Sequence, residues 1–453
     1  MKKLTNLLSF TATLKSLGGV VLAIVILLAM VTIHEFGHYV AGKALGFKIN
    51  EFAVGFGPAI FKKRSKKTGE LFALRVIPLG GYCAFDGEDE ASDEEELNAQ
   101  KTENGEGKQP FSEMQEKTQN PENEGGVYAL NTEKLEVNAG DITKNTDSVE
   151  EYPEPQGERF NNQAPWKRII VLIAGATMNY LLALLLIICM FAGVGRSFYQ
   201  AVRVSPEETV TTSATVEMLD ESDGDAEDNA DDNVAAIGYQ PLQTGDVVLK
   251  IDGKKMFLIT DYIDVLDDRK AGESVEILVL RDGKEQTLEM KLFTDTNFVN
   301  LSDVQGLLAS MGFAQGEGFT PTTMKMGFFE TIGDAFLYSI KIGGTVLRSL
   351  GELLTGKLGI DAMGGPVTTI QVTSQAAASG VGSFLNIASF IGVNLAVFNL
   401  LPIPALDGCK VVFCLIEWIR RKPVNRKVEA IIHFVGIIVL FGFAILVDLL
   451  KLF

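Results

Sequence analysis

Two histidines four residues apart, with a glutamate beside the first, stand in Thr32-Ile33-His34-Glu35-Phe36-Gly37-His38. On a helix this spacing puts both imidazoles on one face, where they reach a single metal ion, and leaves Glu35 close enough to take a proton from water at that ion. Zinc is the expected metal, and hydrolysis the chemistry it would support. The chain has three histidines in 453 residues, and this motif uses two of them.

The element that positions them is apolar. From about residue 17 to residue 40 the chain is rich in Leu, Ile, Val, Ala and Gly, and from Gly18 to Val31 it carries no charge, the composition of a membrane-spanning helix. Ionisable groups in hydrocarbon are costly unless ligated, paired or set in a watery cavity. Lys2, Lys3 and Lys15 precede the run as in a signal peptide, but no small-residue cleavage site follows, so a retained anchor is expected.

Further apolar runs lie at about 169–194, 384–401 and 430–450. The basic residues of the short loops, at 43–75, 167–168 and 420–427, all fall on one side of a four-span scheme, which is then cytoplasmic, with 195–383 outside. The lysines near the N-terminus run against that scheme. The net charge of −18 is concentrated at 86–158, a solvated acidic stretch too polar to bury a core, so it says little about a nucleic-acid surface, and no nucleic-acid partner is expected. Four cysteines without a CxxC pair exclude a disulfide framework. The string Asp220 to Asp228 lacks the calcium-loop register and reads as a solvated loop.

Between the spans, 42–60 reads as short extended pieces broken by Gly55, Gly57 and Pro58, and 70–82 as a strand, together a hairpin at the membrane surface. Residues 237–293 alternate short strands with one or two helices and predict a compact water-facing domain, whose strand edge could take up a peptide. Residues 327–355 read as a helix that lies at the interface as readily as it spans. Asn179, in the second apolar run, reads as a helix-packing contact, and His433, in the last, as a packing or interfacial residue. Pro402 and Pro404 break the third run, which sets Asp407 in irregular backbone at a span's end. A buried carboxylate there needs a partner, either the metal or the helix end it caps.

Together His34-Glu35-Phe36-Gly37-His38, Val54-Gly55-Phe56-Gly57-Pro58, Ile77-Pro78-Leu79-Gly80-Gly81-Tyr82, Gly365-Pro366-Val367 and Asn399 to Gly408 resemble the site-2 protease family, specifically its bacterial intramembrane zinc metalloproteases with a PDZ domain. The resemblance implies a polytopic α-helical membrane protein of about four transmembrane helices, with a membrane-associated β-hairpin and an extracytoplasmic PDZ-like α+β domain. It implies His34, His38 and Asp407 as ligands of Zn2+, Glu35 as general base, and Asn399 near the reacting carbonyl. Gly80, Gly81 and Gly245 are the implied substrate-binding positions. The expected divisions are 1–82 with the motif and hairpin, the acidic insertion 86–158, the second span at 160–195, a PDZ-like domain at 198–295 with its own acidic insertion at 217–233, an amphipathic helix and linker at 325–383, and the last two spans at 384–453. Where the family usually has proline, this chain has Ala176. The implied activity is cleavage of single-pass membrane proteins or remnant signal peptides within the lipid bilayer of a bacterial cell. The alternative is a zinc-binding scaffold or PDZ adaptor without hydrolysis, and Glu35 discriminates, since metal binding does not need it.

Overall fold

The computed structural model describes residues 2–88, 152–202, 238–314, 316–360 and 363–451, without the side chains of 2–17 and 78–79. Most of the acidic stretch expected at 86–158, and all of that at 217–233, lies outside the described residues. Helix α1 (Lys2–Leu45) leads into strands β1 (Ile49–Arg64) and β2 (Leu71–Phe85). Helix α2 (Pro165–Gly193) follows, then β3 (Arg196–Val202), β4 (Val247–Ile251), β5 (Lys254–Lys255) and α3 (Ile259–Leu266). Strands β6 (Ser274–Arg281) and β7 (Lys284–Lys291), helix α4 (Val304–Ser310) and strand β8 (Gly318–Met324) complete the outer part. Helices α5 (Phe328–Leu354), α6 (Pro366–Ser379), α7 (Val381–Leu400), α8 (Asp407–Arg420) and α9 (Arg426–Leu450) end the chain.

Among the described residues, four helical stretches are long and apolar enough to cross a bilayer: Gly18–Leu45 of α1, α2, α7 and α9. Their outward faces carry exposed Val, Leu, Ile and Phe, as a lipid-facing surface does. Helix α2 starts with Pro165 in its first turn, where the missing N–H costs nothing, and runs unbroken through Ala176. It is the centre of the bundle, packing on α1, α5, α7 and α8.

The hairpin differs from the short pieces expected at 42–60. β1 is one strand of 16 residues. Gly55 and Gly57 both take φ of +84°, so they bend the strand with bulges and do not end it. Residues 51–54 therefore lie against both 71–74 and 81–84, while 59–64 lies against 71–75. Two long strands thus make four short rungs, with 81–85 along one free edge.

The outer domain is an antiparallel sheet in the order β7-β6-β4-β3-β8, with β5 on β4. Tyr262, Ile263, Val248, Ile251, Val275, Ile277, Met290 and Leu307 fill its core. Its last strand, β8, lies beyond residue 295 and pairs with β3 along its length. β3 therefore has neighbours on both sides, and the outermost strands of the sheet are β8 and β7, the latter met at Lys291 by a bridge from Tyr239. A cleft of about 690 Å³ opens between β3, β8, α3 and α4, lined by Tyr199, Val202, Ile259, Leu308 and Phe319 among others.

Helix α5 is amphipathic. One face is fixed to the sheet domain through Asp334, Lys341 and Arg348, which pair with Arg196, Asp261 and Asp264. The other exposes Phe328, Phe329, Ile332, Phe336 and Ile340. It is not among the four spanning stretches, and this pattern is that of a helix lying in the interface.

Candidate metal centre

His34 and His38 come from one face of α1, and Asp407 arrives from 373 residues away. Asp407 is not in irregular backbone, as the two prolines suggested, but is the first residue of α8. The irregular part is the preceding turn, in which the Leu406 N–H donates to the Ile403 carbonyl. Pro404 and Ala405 occupy its corners, and Ala405 has φ of +81°. A proline followed by a residue of positive φ is the signature of a type II turn, in which glycine is the usual third residue.

The three donor atoms form a tight triangle. His34 Nε2 lies 3.0 Å from Asp407 Oδ2 and 3.1 Å from His38 Nε2, and His38 Nε2 lies 3.3 Å from Asp407 Oδ2. Ligands at zinc bond lengths of about 2.0–2.1 Å in a tetrahedron stand roughly 3.3–3.4 Å apart, so the triangle has the size of one face of such a site. Among the described residues this is the one group of three or more His, Cys, Asp or Glu side chains able to hold a metal ion.

The far nitrogens of the imidazoles are also held. His38 Nδ1 donates to the Val171 carbonyl at 2.8 Å, which leaves Nε2 with its lone pair free for a metal ion at the triangle. At His34 Nδ1 the carboxamides of Asn179 and Asn399 approach to 3.3 and 3.5 Å. A neutral His34 that ligates through Nε2 carries its proton on Nδ1 and needs an acceptor there. Asn179 Oδ1 is buried without a hydrogen-bond partner. With its amide turned to present Oδ1, Asn179 satisfies both groups at once.

Glycine makes the approach possible. A Cβ at Gly37 would stand 2.8 Å from the Ala174 carbonyl carbon, and one at Gly175 would stand 2.8 Å from His34 Cε1 and run into His38. Gly175 and Asn179 are one turn apart on α2, both facing the histidines. Asn179 thus makes the interhelical contact expected of it, and its partner is His34 of the motif; the four-residue step from Gly175 was the available signal for that face.

Glu35 lies within electrostatic reach of His34, His38, Asp407 and Glu88. Gly81, on the open edge of the hairpin, sits against it: a Cβ there would be 3.3 Å from Glu35 Cγ and 2.8 Å from the Ala53 carbonyl. Gly80, with φ of +97°, packs under the Phe56 ring. Gly245 is elsewhere, in a turn whose N–H donates to Ala201, and does not line the outer cleft. The hairpin is tied to α1 by Glu70, a buried carboxylate that accepts from Lys43 Nζ at 2.6 Å, Thr68 Oγ1 at 2.9 Å and Tyr39 Oη at 3.1 Å. Beyond the end of β2, Glu88 pairs with Lys410 of α8 at 2.6 Å.

The model for peptidase family M50 matches residues 22–443. The zinc metalloprotease RasP of Bacillus licheniformis is 28% identical over 444 residues, which cover 93% of this chain and 95% of that protein. The regulator of sigma-W protease RasP of Bacillus subtilis is 27% identical over 437 residues, 92% of this chain and 94% of its own. The zinc metalloprotease RasP of Shouchella clausii is 26% identical over 457 residues, 95% and 98% of the two chains. Since the match takes in the spans, the hairpin and the outer domain together, the chain belongs to peptidase family M50, as a multi-pass bacterial membrane protein and a zinc metalloendopeptidase of the site-2 type.

Proposed function

We propose that His34, His38 and Asp407 hold the zinc ion, that Glu35 is the general base, and that the substrate is a membrane-embedded segment laid along the 81–85 edge of the hairpin. The observation that carries this reading is the convergence of three donor atoms within 3.3 Å of one another beside both Glu35 and Gly81. Zinc bound there supplies Lewis-acid activation of water and of the peptide carbonyl. Glu35 takes the proton of the attacking water and hands it to the departing amine. The Asn399 contact with His34 is too long to be a strong hydrogen bond, which leaves its amide to turn toward the carbonyl oxygen as charge develops there. A helical amide is shielded, so the substrate has to unwind, and backbone pairing with the open edge supports the unwound strand. Gly81 lets that strand come close to Glu35.

The substrates fitting this site are single-pass membrane proteins or remnant signal peptides already trimmed on their outer side. The Bacillus subtilis relative is named as a regulator of sigma-W. By analogy a membrane-bound transcriptional regulator is one candidate class. The sheet domain would meet the outer part of the substrate, as a tether or a size filter.

The test compares the parent protein with Glu35→Gln in detergent, reading bound zinc and cleavage of labelled transmembrane segments. Both forms are expected to hold equal zinc while only the parent cuts, and a chelator should abolish that cutting until zinc is returned. Equal cutting by both forms would remove Glu35 from its role.

A further inference from the structure

His433 is the one histidine outside the metal centre, in α9, a helix whose apolar side chains are mostly exposed. Its Nδ1 accepts a hydrogen bond from the Ala405 N–H at 3.1 Å, and its ring lies 5.9 Å from that of Phe413 in α8. Three residues on, Gly436 brings the α9 backbone against the same turn: a Cβ there would stand 2.7 Å from the Pro404 carbonyl carbon. The turn is thus held between α8 and α9, two residues before Asp407.

The turn's own hydrogen bond, from Leu406 to Ile403, leaves the N–H of its third residue unused. That residue is Ala405, in a backbone conformation that favours glycine and that an alanine keeps only when its surroundings impose it. The bond from Ala405 to His433 is the contact made by Ala405's own N–H, beside the close approach of Gly436 to Pro404. Released, Ala405 would relax toward negative φ, and the next residues, including Asp407, would turn with it.

We infer that His433 is a positioning residue for the metal centre, which holds Ala405 in the left-handed turn and so sets the Asp407 carboxylate against His34 and His38. It acts through the backbone and touches neither metal nor substrate. This rests on Asp407 being the third ligand, as proposed above.

The full-length protein in detergent can be loaded with cobalt(II), whose visible spectrum reports ligand geometry, and its cobalt affinity measured by competition with a chelator. His433→Leu is expected to bind cobalt about 10–100-fold more weakly, with an altered spectrum, as for other losses of supporting contacts around a metal site. His433→Asn, which retains an acceptor, should stay near the parent. Ala405→Gly should be silent alone and should restore affinity and spectrum in the His433→Leu background, because glycine takes positive φ unaided. Ala405→Val should weaken cobalt binding with His433 in place. A His433→Leu protein with the parent's spectrum and affinity, while Asp407→Ala loses cobalt, would overturn the positioning role. Failure of Ala405→Gly to restore the double variant would overturn it too, leaving only α9 packing. Retention of the parent spectrum by Asp407→Ala would instead remove the ligand assignment beneath it.

Discussion

A histidine that ligates through one nitrogen is only as well placed as the partner of the other, and here the two partners differ in kind. His38 leans on a backbone carbonyl, Val171, which no substitution removes, whereas His34 depends on the Asn179 side chain. Asn179→Leu is therefore expected to lower zinc affinity about 10–100-fold, measured by competition with a chelator, while Asn179→Asp, still an acceptor, should lose less. At this scale the sequence is readable where one helix does all the work. His34, Glu35 and His38 share a face of α1, and their spacing alone relates them. Asp407 was legible as a residue needing a partner, but its place as the first residue of α8 depends on a turn whose third residue is alanine and not glycine. The helix-packing role of Asn179 was legible but its partner His34 was not, because the four-residue step from Gly175 fixes a face of α2 without saying what stands opposite.

Among the elements, the hairpin is the one joined to the motif helix by a single polar cluster. Glu70 ties it to Tyr39, the residue directly after the motif, and to Lys43, a little over one turn further along α1. Glu70→Ala should cost about 1.5–3 kcal/mol, the range for hydrogen bonds to a charged group, and should slow cleavage while leaving zinc in place. Cys83, on the inner side of β2, offers a second readout. Burial pushes its thiol above the usual range, and Glu35, Glu88 and Glu70 push it the same way. The reactive form is the thiolate. A raised pKa means the thiol stays protonated at pH 8, so its maleimide labelling should be slow there and rise with pH, and should quicken in Glu70→Ala if the hairpin swings from α1. The two strands were foreseen, their length was not. Gly55 and Gly57 carry the usual mark of a break, and only the pairing of 51–54 on both sides shows that they bend a continuous strand.

For the whole molecule, the four spans and the outer sheet were expected from hydropathy and alternation, but the extent of the sheet was hidden. Strand β8 contains Pro321 and three threonines and has little apolar alternation. What makes it a strand is β3, more than a hundred residues earlier, which it pairs with from Arg196 to Val202. Only Val194 and Gly195 separate the end of α2 from β3, and a Cβ at Gly195 would stand 2.8 Å from the Met324 carbonyl carbon. Immediately beyond, the Arg196 guanidinium lies between the Phe198 and Phe257 rings, 2.6 Å from Asp334. Burial draws it below its usual pKa, and the Asp334 carboxylate works against that. This joint has no slack. Helix α2, at 29 residues about 43 Å long, would then serve as an arm between the outer domain and the histidines, with Val171 and Gly175 in its inner half and Asn179 at its middle. A load on the outer cleft is expected to reach the histidines as displacement. Two glycines inserted after Val194 should then leave zinc content unchanged while erasing any dependence of cleavage on the bulk of the substrate's outer part; undiminished dependence would mean the joint transmits nothing. Such an arm would register the bulk of what hangs outside the membrane, with no need of a particular sequence in that cargo.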